Sequence, residues 1–243
     1  AVQLDRLSFH YGGSHGRDII RDVSIRVAPG ETIAIVGRSG AGKSTLARCL
    51  AGLEPPTSGT MSVDGVDICD LKPQQLRSHI AYVPQRNHLF IGTILQNIAF
   101  GDSEPDRLRA VAAAKAANAD AFISRLPHGL DSEIDQVAPY LSSGQRQMLG
   151  IARAIYRQPA VVVLDEATSG IDVESARVVR CTLASFLRDR TAFVIAHDPP
   201  TIQLADRILV LEDGRIAESG THDELLSQHG LYYHLFHEIV SSL

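Results

Sequence analysis

The chain has 243 residues, of which 44% are apolar and 21% are charged, and its formal net charge is −5. This composition is that of a globular protein rather than a disordered one, and the length suits one α/β domain that carries a smaller subdomain. Because no long basic run accompanies the acidic balance, nucleic acid is not predicted as a partner.

No apolar stretch approaches the roughly 20 residues that cross a bilayer, and the chain does not begin with a segment resembling a signal peptide. Cys49, Cys69 and Cys181 form no CxxC pair, so neither a zinc site nor a disulfide framework is predicted and a reducing compartment is favoured. Because the chain begins at Ala1 without an initiator methionine, we expect a trimmed chain or a domain of something longer.

The first half of the chain is predicted to be rich in strands. Its first thirty residues alternate apolar and polar side chains, which indicates half-buried antiparallel strands. A short, fully apolar strand is expected over residues 32–36, and a glycine-rich loop and a helix over residues 43–52 follow it. Further strands are predicted over residues 61–64 and 80–83.

Helices dominate the middle of the chain, and strands return after it. The predicted elements are helices within 93–126 and over 143–156, strand 161–164, helix 173–187, strand 191–196, hairpin strands 207–211 and 215–218, and a helical, amphipathic tail over 223–240. The alternation predicts an α/β fold whose mostly parallel sheet has helices on both faces, plus an N-terminal antiparallel β subdomain. Residues 86–158 are expected to form a helical subdomain inserted between residues 1–85 and 159–243.

Residues 37–44 read GRSGAGKS and match the phosphate-loop pattern GxxxxGK[ST] at every fixed position, which makes the predicted α/β core a P-loop NTPase core. Glycines let successive backbone N–H groups converge on phosphate oxygens, and the following helix points its positive end at the same anion. Lys43 is expected to reach the β- and γ-phosphates, and the Ser44 hydroxyl to ligate Mg²⁺. The predicted nucleotide contacts are Gly37, Arg38, Ser39, Gly40, Ala41, Gly42, Lys43, Ser44 and Thr45.

Two carboxylates follow a second apolar strand, in the string VVVLDE at residues 161–166. Asp165, at the end of the strand, suits an outer-sphere contact to Mg²⁺ beside Ser44. Glu166 is placed to orient the water that attacks the γ-phosphate, or to accept its proton. Read alone, paired acids after a strand also fit a solvated loop or a helix cap.

Residues 141–147 read LSSGQRQ at the start of the long helix. This string resembles the LSGGQ signature of ATP-binding-cassette (ABC) ATPases, in which the signature of one subunit caps the γ-phosphate bound by the partner's phosphate loop. The resemblance assigns nucleotide contacts to Ser142, Ser143, Gly144 and Gln145, where a hydroxyl and backbone N–H groups meet a helix N-terminus. In isolation the same string fits a serine N-cap.

Four more positions match this family in order along the chain. Tyr11 resembles the aromatic that stacks on adenine, or else is a core or strand aromatic. Gln85, in YVPQ, resembles the Q-loop glutamine that touches Mg²⁺ or the lytic water and senses the transport partner, or else is a loop amide. Asp172 resembles the D-loop residue at the dimer interface, and equally fits an N-cap. His197, directly after a strand, resembles the switch histidine that contacts the γ-phosphate, although a surface histidine is the alternative.

Two further strings resemble the exporter branch of the family: FIGTILQNI at residues 90–98 and ESGTHDELL at residues 218–226. The resemblance implies an ATP-hydrolysing cassette that dimerises around two ATP–Mg²⁺, with an identical or a different second cassette as its partner. It also implies a transmembrane domain fused N-terminally to this chain and a place on the cytoplasmic face of a membrane. The transported cargo lies beyond the reach of this sequence.

The sequence departs from the family pattern in three places. Ser143 stands where a glycine is usual, residues 133–138 replace a Gly-Glu-rich loop that touches the membrane domain, and Asp198-Pro199-Pro200 replaces Arg-Leu-Ser. The two prolines are expected to stiffen the loop and to force an early restart of helix. All reacting groups are retained, so hydrolysis is expected, whereas coupling through residues 133–138 is the feature put in doubt.

Three other functions are alternatives to that of an exporter domain. A soluble ABC-type ATPase without a membrane domain usually carries coiled-coil insertions or two cassettes, which 243 residues without heptads do not fit. The ATPase subunit of an importer would instead be a separate chain. A P-loop kinase is disfavoured by the signature string, Gln85 and His197.

Overall fold

The computed structural model describes residues 1–12, 18–137 and 140–241. They divide into two compact units. The first unit contains Ala1–Tyr82, Ala160–Glu166 and Leu187–Leu243, and the second contains Val83–Pro159 and Ala167–Phe186. The boundaries of the helical subdomain predicted over residues 86–158 stay a prediction.

The strands follow the predicted order, with one short strand that the sequence pattern did not predict. They are β1 (Val2–Phe9), β2 (Ile20–Val27), β3 (Thr32–Val36), β4 (Ser58–Val63), β5 (Val66–Asp67), β6 (Ile80–Val83), β7 (Val161–Asp165), β8 (Thr191–Ile195), β9 (Arg207–Glu212) and β10 (Arg215–Gly220).

The helices are mostly short, apart from two long ones in the second unit. They are α1 (Lys43–Leu50), α2 (Pro73–His79), α3 (Ile94–Ile98), α4 (Arg107–Ala116), α5 (Asp120–Ile123), α6 (Ile134–Val137), α7 (Ser143–Arg157), α8 (Val173–Phe186), α9 (Pro199–Ile202), α10 (His222–Ser227) and α11 (Leu231–Ser241). No helix in the three described ranges is long and apolar enough to cross a membrane.

The N-terminal strands form an antiparallel sheet in the order β2-β1-β4-β5. The predicted alternation is present at the start of β1, where Val2 and Leu4 are buried and the residues that follow each of them, Gln3 and Asp5, are exposed. One face of this sheet therefore contributes to the core and the other faces solvent. This confirms the predicted antiparallel β subdomain.

The second sheet has six strands in the order β10-β9-β3-β8-β7-β6. β3 lies parallel to both β8 and β9, and β7 lies parallel to β8, whereas β9 and β10 form the predicted antiparallel hairpin. Every residue of β3, β7 and β8 is buried, as is expected for central strands covered on both faces. Because parallel strands carry their carboxyl ends to one edge, the loops after β3, β7 and β8 meet there.

One hydrophobic core joins the two sheets and α1 within the first unit. Ile33 and Ile35 of β3 pack with Leu46 and Leu50 of α1 in this core, and all four are at most 1% exposed. Full burial of such a side chain contributes roughly 1.5–3 kcal/mol. The core thus holds α1, and the loop before it, against the central strand.

The C-terminal tail is helical, as predicted over residues 223–240, but it forms two helices, α10 and α11, with a break between them. His229 adopts a left-handed backbone (φ 52°), which ends the first helix. The carboxylate of Glu218 then accepts the backbone N–H groups of Leu231 (2.5 Å) and Tyr232 (2.9 Å), which caps the start of α11.

The two prolines after His197 act as the sequence predicted. A short helix, α9, begins at Pro199 directly after Asp198. The Asp198 side chain caps it by accepting the backbone N–H of Thr201 at 3.0 Å. Proline suits this place because the first turn of a helix needs no hydrogen bond from it.

Candidate functional site

The glycine-rich loop joins the buried strand β3 to α1. Gly37 has φ 154°, and a Cβ there would overlap the carbonyl oxygen of Leu211. Gly42 has φ 102° and lies against Ile20, so it too is a position that a side chain would disrupt. The backbone path of this loop therefore requires glycine at both places.

The N-terminus of α1 is open toward a ligand. Gly42 is its N-cap, and because glycine has no side chain to accept the amides of the first turn, those amides are left for another acceptor. Ser44 in this turn is exposed. An anion placed here would meet both the free amides and the positive end of the helix.

Lys43 lies inside the loop, with 7% of its surface exposed. Its Nζ donates to the carbonyl oxygens of Gly37 (2.8 Å) and Arg38 (3.0 Å). Burial lowers the pKa of Lys43, while the charges of Glu166 and Asp165 oppose that shift. The ammonium group is therefore held at the loop by two carbonyls and two nearby carboxylates.

Arg38, at a variable position of the loop, reaches outward. Its guanidinium forms an exposed ion pair with Glu238 of α11 at 3.3 Å. Such a surface pair contributes little to stability, with a typical range of about 0–1 kcal/mol. It nevertheless places the C-terminal helix beside the loop.

Asp165 ends β7 and is 5% exposed. Each of its two oxygens accepts one hydroxyl: Oδ1 from Ser44 at 3.1 Å and Oδ2 from Tyr82 at 2.9 Å. A serine hydroxyl and a carboxylate oxygen are hard oxygen ligands of the kind that Mg²⁺ takes alongside phosphate oxygens. The pair Ser44 and Asp165 fits the predicted Mg²⁺ site within the first unit.

Glu166 follows directly and has a left-handed backbone with φ 52°. This conformation is uncommon for a residue other than glycine and costs on the order of 1–3 kcal/mol. It turns the Glu166 side chain toward His197, whose Nε2 contacts Glu166 Oε1. The strained residue and the histidine after β8 thus form a side-chain pair at the carboxyl edge of the sheet.

Tyr11 follows β1 and is 43% exposed. Its ring packs edge-on against Phe9 with centroids 4.8 Å apart, and its hydroxyl accepts a hydrogen bond from Arg48 at 3.4 Å. The half-exposed ring leaves one surface open, so both roles considered for it, stacking partner and strand-end aromatic, agree with this placement.

The signature candidates lie in the second unit, at the start of α7. Ser142 and Gln145 form a capping box, in which each side chain accepts the other residue's backbone N–H at 3.1 and 2.9 Å respectively. Ser142 and Ser143 are exposed. Gly144 is buried against Ser175 of α8, with no room for a Cβ. Its requirement for glycine is therefore explained by helix packing in this unit.

Gln85 and Asp172 belong to the second unit as well. The Gln85 side-chain amide donates to the Ser169 hydroxyl at 3.3 Å. Asp172 accepts the backbone N–H of Ser175 at 2.9 Å and caps α8, which is the simpler of its two predicted roles. Among the departing residues 133–138, Ala138 lies outside the described residues.

One residue beside Asp165 was missed by sequence reasoning. Tyr82, whose hydroxyl donates to Asp165, lies in β6 and is half-buried. Burial raises the pKa of Tyr82, and the charge of Asp165 raises it further. The available signal was a phenol within an otherwise apolar strand, because a buried tyrosine hydroxyl needs a partner.

The parallel sheet, the glycine loop before α1 and the acidic strand β7 define a P-loop NTPase core, which here carries an antiparallel β subdomain and a helical subdomain. The family model described as ABC transporter matches residues 20–169. The chain belongs to the ABC transporter family.

Curated relatives share this cassette over nearly its whole length. The chain is 48% identical over 236 residues to the ATP-dependent lipid A-core flippase of Burkholderia pseudomallei, which covers 97% of this chain and 39% of the relative. It is 47% identical over 231 residues to the flippase of that name from Chromohalobacter salexigens, covering 95% and 40%. The chain thus spans about two fifths of the length of these relatives.

A solved structure agrees with the fold. The chain matches a bacterial Atm1-family ABC exporter with ATP bound, with a TM-score of 0.88 and 40% identity. The match covers 98% of this chain and 41% of the exporter. At this identity the likeness extends to the fold of the whole chain.

Proposed function

We propose that this chain binds ATP with Mg²⁺ and hydrolyses it, as the nucleotide-binding domain of an exporter. One observation carries the proposal: Lys43 and Ser44 of the glycine-rich loop lie beside Asp165, which Ser44 contacts directly. The Glu166–His197 pair follows at the same edge of the sheet. The names of the similar proteins, an ATP-dependent flippase and an exporter with ATP bound, support it.

The phosphates would lie on the loop of residues 37–45. Backbone N–H groups and the positive end of α1 stabilise an anion there, and Lys43 adds a formal charge. Tyr11 is proposed to stack on the adenine ring through its exposed face. We propose Ser44 and Asp165 as the protein ligands of Mg²⁺, with Gln85 as a third; the bound ion would neutralise phosphate charge.

Glu166 is proposed to orient the attacking water and to accept its proton. A carboxylate is a competent base for a water that attacks a phosphorus atom already made electrophilic by its surroundings. His197 is proposed to donate a hydrogen bond to the γ-phosphate, where negative charge develops in the transition state. The contact between the two side chains would then give way to contacts with nucleotide and water.

We further propose that two cassettes, identical or different, pair around two ATP molecules. Ser142, Ser143, Gly144, Gln145 and Asp172 would then act on the nucleotide held by the partner cassette. A transmembrane domain, N-terminal to this cassette, would use closure and reopening to export its cargo, which places the cassette on the cytoplasmic face of a membrane. Since the chain covers about two fifths of its relatives, the cargo surface is assigned to the remaining part.

The test compares wild type with Lys43→Ala and Glu166→Gln by calorimetric ATP binding, phosphate release and size-exclusion chromatography. Lys43→Ala should weaken ATP binding at least tenfold, an order of magnitude typical of a lost charge-assisted contact. Glu166→Gln should keep the affinity, lose turnover by about 10²–10³-fold and accumulate an ATP-bound dimer.

Glu174→Gln, the same change at an exposed position of α8, is the matched control and should behave as wild type. Wild type that binds no ATP would refute the proposal. Full turnover in Glu166→Gln would remove Glu166 from its role, and unchanged affinity in Lys43→Ala would mean that the loop holds a different ligand.

A further inference from the structure

The carboxylate of Asp165 is held from both sides. Ser44 donates to Oδ1, on the side of the phosphate loop, and Tyr82 donates to Oδ2 at 2.9 Å. With the carboxylate 5% exposed, water has little access to replace either donor. The orientation of the carboxylate about its Cβ–Cγ bond therefore depends on these two hydroxyls.

The two hydroxyls differ in whether they would also bind the proposed Mg²⁺. Ser44 is itself a proposed ligand, so its oxygen would bind the cation through a lone pair while its proton stays available to Oδ1. Tyr82 has no such second task, because its hydroxyl lies on the opposite oxygen. The bond from Tyr82 to Oδ2 is therefore the contact that orients the carboxylate independently of the cation.

We propose that Tyr82 is a positioning residue that orients Asp165 for Mg²⁺. This inference rests on the proposed function, because it concerns the same cation. A chain without the Tyr82 hydroxyl would still bind the triphosphate through its loop, but its carboxylate would have to be oriented by the cation itself.

The experiment measures binding of the non-hydrolysable analogue AMP-PNP by calorimetry, first in EDTA and then across a MgCl₂ titration. Tyr82→Phe should leave the affinity in EDTA within about twofold of wild type. The Mg²⁺ concentration at which half of the gain in affinity is reached should be about tenfold higher than in wild type. This factor is the scale of one lost hydrogen bond to a charged group.

The control is Tyr232→Phe, which removes the hydroxyl of a buried tyrosine of the first unit, one bonded to His222 Nδ1 at 2.7 Å. It should leave the Mg²⁺ dependence unchanged. Thermal unfolding of both variants, followed by circular dichroism, should show comparable midpoints, so that loss of fold does not account for a difference.

Two outcomes would overturn the role of Tyr82: an unchanged Mg²⁺ dependence in Tyr82→Phe, or an equal shift in Tyr232→Phe. They are distinct from failure of the proposed function, in which wild type itself would bind no AMP-PNP and both proposals would fall together.

Discussion

The hydroxyl of Ser44 donates to Oδ1 of Asp165 at 3.1 Å, and so joins two residues that are 121 positions apart in the sequence. The contact exists because β3 and β7 lie on either side of β8 in the sheet. The phosphate loop after β3 and the acidic end of β7 therefore lie at the same edge of the sheet. The pair places a hydroxyl oxygen and a carboxylate oxygen side by side, which fits the Mg²⁺ site that we propose there.

Ser44→Ala removes one of these oxygens while leaving the loop backbone intact. We expect the affinity for AMP-PNP in EDTA to stay within about threefold of wild type, and the gain on adding MgCl₂ to fall by about tenfold or more. Ser44→Thr keeps a hydroxyl at the position and should retain most of the gain. An alanine variant with the full Mg²⁺ gain would show that Ser44 is not a ligand.

His197→Ala tests the pair at the end of β8. Because a positioned donor at the transition state is worth on the order of 10²-fold or more, phosphate release should fall by about that factor while ATP affinity changes much less. His234→Ala alters an exposed histidine of α11 and serves as control. Turnover within twofold of wild type in His197→Ala would leave the histidine with a structural role alone.

Gly150 of α7 tests the packing of the second unit. A Cβ there would overlap the side-chain amide of Asn87, whose nitrogen donates to Gln147 Oε1 at 2.8 Å. Gly150→Ala should lower the free energy of unfolding by about 1–3 kcal/mol through overpacking. In an Asn87→Ala background the added methyl has room, so urea unfolding of the double variant should show a smaller additional loss. Equal losses in both backgrounds would contradict the predicted overlap.

Cys49 of α1 predicts a pH dependence of stability. The thiol is fully buried, and burial raises its pKa from 9.0 to about 12. The unfolded chain loses this proton first, so stability is fully present below pH 9 and falls as the pH rises toward 12. Between pH 7 and pH 10 the loss through this group should be about 1.5 kcal/mol.

Urea unfolding at several pH values measures this loss. In Cys49→Ala the free energy of unfolding should fall less between pH 7 and pH 10 than it does in wild type, whatever its value at pH 7. Cys181→Ala, which changes an exposed cysteine, should decline as wild type does. Parallel declines in wild type and Cys49→Ala would mean that the native thiol is not held protonated.

Much of the fold followed from local patterns. The buried strands β3 and β7 were predicted because five consecutive residues of each are covered on both faces and leave an apolar run in the sequence. The hairpin of β9 and β10 followed from the Asp213-Gly214 turn. The break at His229 was missed, because the carboxylate of Glu218 that starts α11 comes from outside the helical stretch.

By itself, the sequence determined the phosphate loop, the acidic strand end and the signature string, since each is a short segment whose residue types and spacing carry the information. Only the tertiary structure decided which side chains meet. The bonds from Tyr82 to Asp165 and between His197 and Glu166 span 83 and 31 positions. No local pattern encodes such contacts, because they depend on which strands are neighbours in the sheet and on the backbone of Glu166, whose left-handed turn is held by its surroundings.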